Sequence, residues 1–137
     1  MKSFYLSALT LTLFSFSASA HELSINVENV KSTKGFLYIA LHNSDSTWMK
    51  DSPGVQAQKL SMTEKTVKVI FKDLPSGEYG VTLYQDENDN GHIDKNAIGI
   101  PTEPYGFSNN GGSFGPPSFN SSKVTVNENK EITIYLQ

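Results

Sequence analysis

Apolar residues recur at every second position through most of the chain beyond residue 21. That period puts successive side chains on opposite faces of a strand. Leu23, Ile25 and Val27 alternate with Ser24, Asn26 and Glu28 and predict a first strand. A Lys31-Ser32-Thr33-Lys34-Gly35 turn leads into Phe36 to His42, where Leu37, Ile39 and Leu41 share a face and His42 falls on the other. Asn43 to Gly54, which contains Trp48, is irregular and reads as a loop; Val55 to Met62 is a weak strand. Val67, Val69 and Phe71 form the next inward face, with Lys68 and Lys72 pointing away. Leu74-Pro75-Ser76-Gly77 reads as a turn, because Pro presets φ and Gly accepts positive φ. Tyr79, Val81 and Leu83 resume the alternation. At the far end Val124 and Val126 are expected to pair with Ile132, Ile134 and Leu136 across an Asn127-Glu128-Asn129-Lys130 turn.

About seven short strands with turns between them, and no amphipathic helix, predict an all-β fold. The expected form is a single antiparallel β-sandwich, immunoglobulin-like or transthyretin-like, with a closed barrel as the alternative. Lys95 to Ser122 breaks the pattern. It is rich in Gly and Pro and far longer than the roughly 15 residues beyond which structureless loops are uncommon. Four aromatics in it, Tyr105, Phe107, Phe114 and Phe119, carry too much apolar surface for a flexible linker, so an ordered excursion is expected.

The N-terminal end changes the domain picture. Lys2, an apolar run from Phe4 to Phe16 and the small residues Ala18-Ser19-Ala20 read as a signal peptide over residues 1–20. The run is interrupted by Ser and Thr and is too short to span a bilayer, which needs roughly 20 apolar residues. Residues 21–137 then form one β-sandwich domain, exported to the periplasm or the extracellular space, with no membrane span after cleavage. The chain has no cysteine, so no disulfide helps to hold it. All 11 basic residues are Lys and the net charge is −3. Without Arg or a basic cluster, nucleic acid or an anionic membrane surface is a poor partner.

Candidate chemistry concentrates in two places. In Asp86-Glu87-Asn88-Asp89-Asn90-Gly91-His92-Ile93-Asp94, oxygen side chains occupy positions 1, 3, 5 and 9 of an EF-hand-type loop, with Gly at 6. Alternate residues of a curled loop converge on one point. Asp86, Asn88, Asn90 and Asp94, with the carbonyl of His92, are the candidate ligands of a structural Ca²⁺. Ala97 stands where the motif has a bidentate Glu, so a site must borrow ligands elsewhere, such as Glu103. The bland alternative is a hairpin with Asn90-Gly91 as a type I′ turn. The second place is the long loop. Tyr105, Phe107, Phe114 and Phe119, with Asn109 and Asn110, could bind a small molecule, glycan or protein. Most of the rings are expected instead to fold back and cap one end of the sandwich.

Two further signals are weaker. His21 would become the mature N-terminus, where an amine and imidazole can chelate copper, with His42 or His92 as second imidazole. Chance explains that position better. Asn120-Ser121-Ser122 matches a glycosylation sequon, a pattern short enough to arise at random. Hydrolytic motifs such as Gly-x-Ser-x-Gly and His-Glu-x-x-His do not occur, and no enzyme is expected.

Leu74-Pro75-Ser76-Gly77-Glu78-Tyr79, Asp86 to Asp94, Gly99-Ile100-Pro101, Tyr105-Gly106-Phe107-Ser108-Asn109-Asn110 and Phe114-Gly115-Pro116-Pro117-Ser118-Phe119 occur in that order. This resembles the bacterial family called domain of unknown function 2141. The resemblance implies an exported bacterial β-sandwich and supplies no catalytic residue. It also implies that the acidic loop and the aromatic loop belong together. The expected function is an exported binding or accessory domain. The alternatives are a copper-binding protein using His21 and a purely structural interaction domain.

Overall fold

A computed structural model describes residues 19–137, so nearly all of the expected leader lies outside the described residues. Among the described residues there are eight strands: β1 (His21–Glu28), β2 (Phe36–His42), β3 (Gln56–Ser61), β4 (Val67–Leu74), β5 (Gly77–Asp86), β6 (Tyr105–Phe107), β7 (Val124–Val126) and β8 (Lys130–Tyr135). A 3₁₀ turn (Ser108–Asn110) and one turn of helix, α1 (Phe119–Ser122), complete the described elements. One sheet has the order β4-β1-β8. The other runs β3-β2-β5, and β5 is long enough for two short partners on its far side. There β6 pairs with Thr82–Tyr84 and β7 with Gly77–Tyr79.

The inward faces follow the period-two pattern. Leu23, Ile25 and Val27, Leu37, Ile39 and Leu41, Val69 and Phe71, and Val81 and Leu83 are all buried between the sheets. Burying each such side chain contributes about 1.5–3 kcal/mol. The β-sandwich expectation holds.

Two details differ. Val124–Val126 and Lys130–Tyr135 do not form a hairpin. β7 joins β5 in one sheet, whereas β8 crosses to the other and pairs parallel to β1, Leu23 opposite Lys130 and Glu28 opposite Tyr135. Both segments alternate, so each can bury an apolar face, and placing one on each sheet brings Val126 and Ile134 into the core from opposite sides. The turn at Leu74–Gly77 also departs from expectation. Positive φ falls on Asp73 (58°), where β4 carries an extra residue against His21–Leu23, and not on Gly77. A bulge, not a glycine, sets the bend.

Side-chain amides close both edges of the three-stranded sheet. Gln56 and Gln58 donate to the carbonyls of Lys72 and Ile70 on β4, each at 2.9 Å. Asn110 accepts from the Tyr135 amide at 2.9 Å and donates to the Thr133 carbonyl at 3.1 Å on β8. Open edges invite pairing with another chain, and these amides occupy them.

The long segment is ordered and carries β6, the 3₁₀ turn and α1. It does not cap an end of the sandwich. It lies across the outer face of the second sheet, where Trp48, Phe107, Phe119 and His42 form a small cluster with ring centroids 5.5–6.0 Å from Trp48. Gly80 makes this possible, because a Cβ there would lie 2.7 Å from the Trp48 ring.

Candidate functional site

The acidic loop begins where β5 ends. Asp86 is fully buried, and its carboxylate accepts the amides of Asn90 at 3.2 Å and Gly91 at 2.8 Å. Glu103 grips the loop from outside. One oxygen accepts the Glu87 amide at 2.8 Å and the other the Asp94 amide at 2.9 Å. Asn88 and Asn90 both donate to the Asp94 carboxylate, at 2.6 and 2.8 Å. The Asn90 and Asn88 amides, and to a lesser degree the charge of His92, hold the Asp94 carboxyl below its ordinary range.

The predicted set is therefore split. Asn88, Asn90 and Asp94 come together, Asp86 turns toward the loop's own amides, and the His92 side chain is 71% exposed. Among the described residues no three His, Cys, Asp or Glu side chains group closely enough to hold a metal by themselves. The two carboxamides present their nitrogens to Asp94, and Asn90 Oδ1 accepts the His92 amide at 3.2 Å, so a hard-cation site here, drawing on Asp94, the Asn88 and Asn90 oxygens and backbone carbonyls, requires both amides to turn over. The type I′ alternative does not apply, because positive φ falls on Asp89 and Gly91 and not on Asn90.

Beside this loop runs a groove of about 910 Å³. Its floor is the outer face of the second sheet, including Tyr38, Ala40, Thr82 and Tyr84. Ile93–Pro101, Met49–Pro53 and Gly112–Pro116 contribute its other lining. Tyr38 and Tyr84 stack across β2 and β5 with centroids 5.1 Å apart and planes within 4°. Tyr84 links groove to loop, since its hydroxyl donates to the Gly91 carbonyl at 3.3 Å. Burial first, then Tyr38 and the Asp86 and Glu103 carboxylates, push this phenol up to about 12, so it remains a neutral donor.

Of the long-loop candidates, Tyr105, Phe107 and Phe114 line the groove. Phe114 is completely exposed at the loop tip, while Phe107 is buried and Tyr105 half-buried. Phe119 packs on Trp48. Asn109 and Asn110 spend their amides on backbone carbonyls, at Ser121, Lys123 and Thr133, and act as straps. Ser108 works with them: fully buried, it accepts the Val81 amide at 2.9 Å and donates to the Ser122 carbonyl. Tyr38, Tyr84, Met49 and Ile100 were missed as lining residues. The signal for the two tyrosines was present, because alternation with Ile39 and Leu83 points both outward.

The two copper candidates have separate partners. The His21 imidazole bonds the Ser76 hydroxyl at 2.8 Å. His42 lies outward as expected, yet Trp48 covers it, and its nitrogens each meet a hydroxyl at 3.2 Å, those of Thr47 and Thr82. Burial holds this imidazole below its ordinary value.

Residues 25–134 match the model of a family described as an uncharacterised protein conserved in bacteria, domain of unknown function 2141, and the chain belongs to that family. No curated protein and no solved structure matches it.

Proposed function

We propose that this member of a bacterial family is an exported binding domain whose ligand lies in the groove on the outer face of its second sheet. The exposed apolar rim carries the reading. Met49, Ile100 and Phe114, all exposed, border a single concave surface floored by stacked tyrosines. Exposed apolar side chains gathered round one cleft mark a binding site far more often than scattered ones do. Export rests on Lys2, the apolar run and Ala18-Ser19-Ala20. The groove is read as binding its ligand without catalysis.

A neutral naphthylamine dye tests the groove. Saturable fluorescence enhancement is expected, and Ala40→Trp, which fills the floor, should abolish it while leaving the β-sheet circular dichroism intact. A wild-type chain that never enhances the dye refutes the groove reading.

The acidic loop is read as a structural Ca²⁺ loop, held by Asp94, Asn88 and Asn90, that fixes the wall running from Ile93 to Lys95. Binding of an extracellular-module strength, near 10⁻⁴–10⁻³ M, suits so few charged ligands. At roughly ten times Kd, calcium then adds about 1.4 kcal/mol and raises the melting temperature by a few degrees. Asp94→Asn should remove that shift. Superimposable melts in calcium and in chelator would dispose of the ion.

A further inference from the structure

We infer that the groove's occupant is a single-chain amphiphile with an anionic head, and specifically a free fatty acid. This rests on the groove reading above. Three observations narrow the chemistry.

The first is that two polar side chains of the floor are already engaged. The Thr82 hydroxyl meets His42 at 3.2 Å and the Tyr84 hydroxyl donates to the Gly91 carbonyl at 3.3 Å. A glycan needs several free donors and acceptors at its hydroxyls, and an alkyl chain needs none. The second is that Met49, Ile100, Phe107 and Phe114 give the lining an apolar character a chain can bury against.

The third is charge. Lys59, Lys68, Lys72 and Lys123 are paired with Asp89, Glu131, Glu22 and Glu78. Lys50 and Lys95, which line the groove from separate segments, take part in no ion pair among the described residues. Asp51 is the one acidic side chain lining it, so the groove is locally positive on a chain of net charge −3. A lysine ammonium is a point charge that serves a carboxylate without a planar fork.

Trp48, the single tryptophan, has its ring centroid 6.0 Å from that of Phe107 and reports on the groove. The full chain is titrated with dodecanoate and with dodecanol, both below aggregation, and Trp48 emission is read. Dodecanoate is expected to saturate and to bind roughly tenfold more tightly than the alcohol, the size of one charge-assisted contact. Lys50→Gln combined with Lys95→Gln should erase that preference. Equal affinities in the wild-type chain, or a preference that survives the double substitution, overturn the anionic head. If neither amphiphile binds but the neutral dye still does, the fatty acid is wrong and the groove reading stands. If the dye fails too, both fall. Attachment to phosphatidylglycerol vesicles without any response to free dodecanoate overturns the inference in favour of a membrane surface.

Discussion

Gly35→Ala is expected to destabilise the protein by about 3–5 kcal/mol, at the upper end of what single substitutions do. Gly35 precedes β2 with φ at 68°. A Cβ there would lie 1.8 Å from the Asp86 carbonyl oxygen and 2.8 Å from Glu87 Cα. Those atoms are backbone, so no rotamer change relieves the overlap. The chain must shift either at the start of β2 or at the end of β5, where the acidic loop is anchored. Met62 donates to the Gly35 carbonyl at 3.0 Å, which restrains the first route. Gly91 supplies the control: its φ is 84°, and nothing lies within 4 Å of a Cβ built there. Gly91→Ala should therefore cost about 1 kcal/mol, the strain of the left-handed conformation alone. Denaturant unfolding of the two variants measures the difference. Equal losses would mean that Gly35 does not approach Asp86 as described.

Glu103→Ala is expected to cost about 3 kcal/mol and to loosen the acidic loop selectively. Glu103 is 7% exposed and joins the two ends of the loop through the Glu87 and Asp94 amides. Hydrogen bonds to an ionised acceptor contribute about 1.5–3 kcal/mol each, and alanine leaves both donors without a partner. Amide hydrogen exchange should accelerate at Glu87 and Asp94 well before it does in β1 or β2. Dye binding in the groove should weaken in parallel, because Ile93 and Lys95 flank the released amide. Asp89→Asn is the contrast, since it keeps a residue type suited to the positive φ of 56° and removes only the Lys59–Asp89 pair, which at 3.3 Å is exposed on both sides and of a kind that contributes about 0–1 kcal/mol. Unchanged exchange at both amides in Glu103→Ala would show that the carboxylate is not the clip.

The acidic loop was partly legible in the chain. The spacing from Asp86 to Asp94 identified it, and the geometry does bring Asn88, Asn90 and Asp94 together. It could not show that Asp86 would turn to the amides of Asn90 and Gly91, because that choice depends on burial at the end of β5. Glu103 was noticed only as a spare oxygen. Its placement depends on how the Thr102–Pro104 stretch returns to β5, where the Gln85 amide bonds the Pro104 carbonyl at 2.8 Å. The residue types of Tyr105, Phe107, Asn109 and Asn110 allow a ligand platform as well as an excursion packed back on the sandwich. The Ser108, Asn109 and Asn110 side chains hold backbone groups together, a use that composition does not distinguish from ligand binding.

Alternation along Leu23–Val27, Leu37–Leu41, Val67–Phe71 and Tyr79–Leu83 was enough to establish an all-β fold and its inward faces, with a sandwich favoured over a closed barrel. Period two records which side of a strand is dry, and each strand carries that record alone. It says nothing about a strand's neighbour or the sheet it joins. β8 beside β1, β7 beside β5, and the aromatic excursion laid over Gly80 were settled by long-range packing, because burial rewards any arrangement that covers the apolar faces. The groove belongs to that second class. It arises where three separated segments meet above Tyr38 and Tyr84, and no local pattern in the chain records such a meeting.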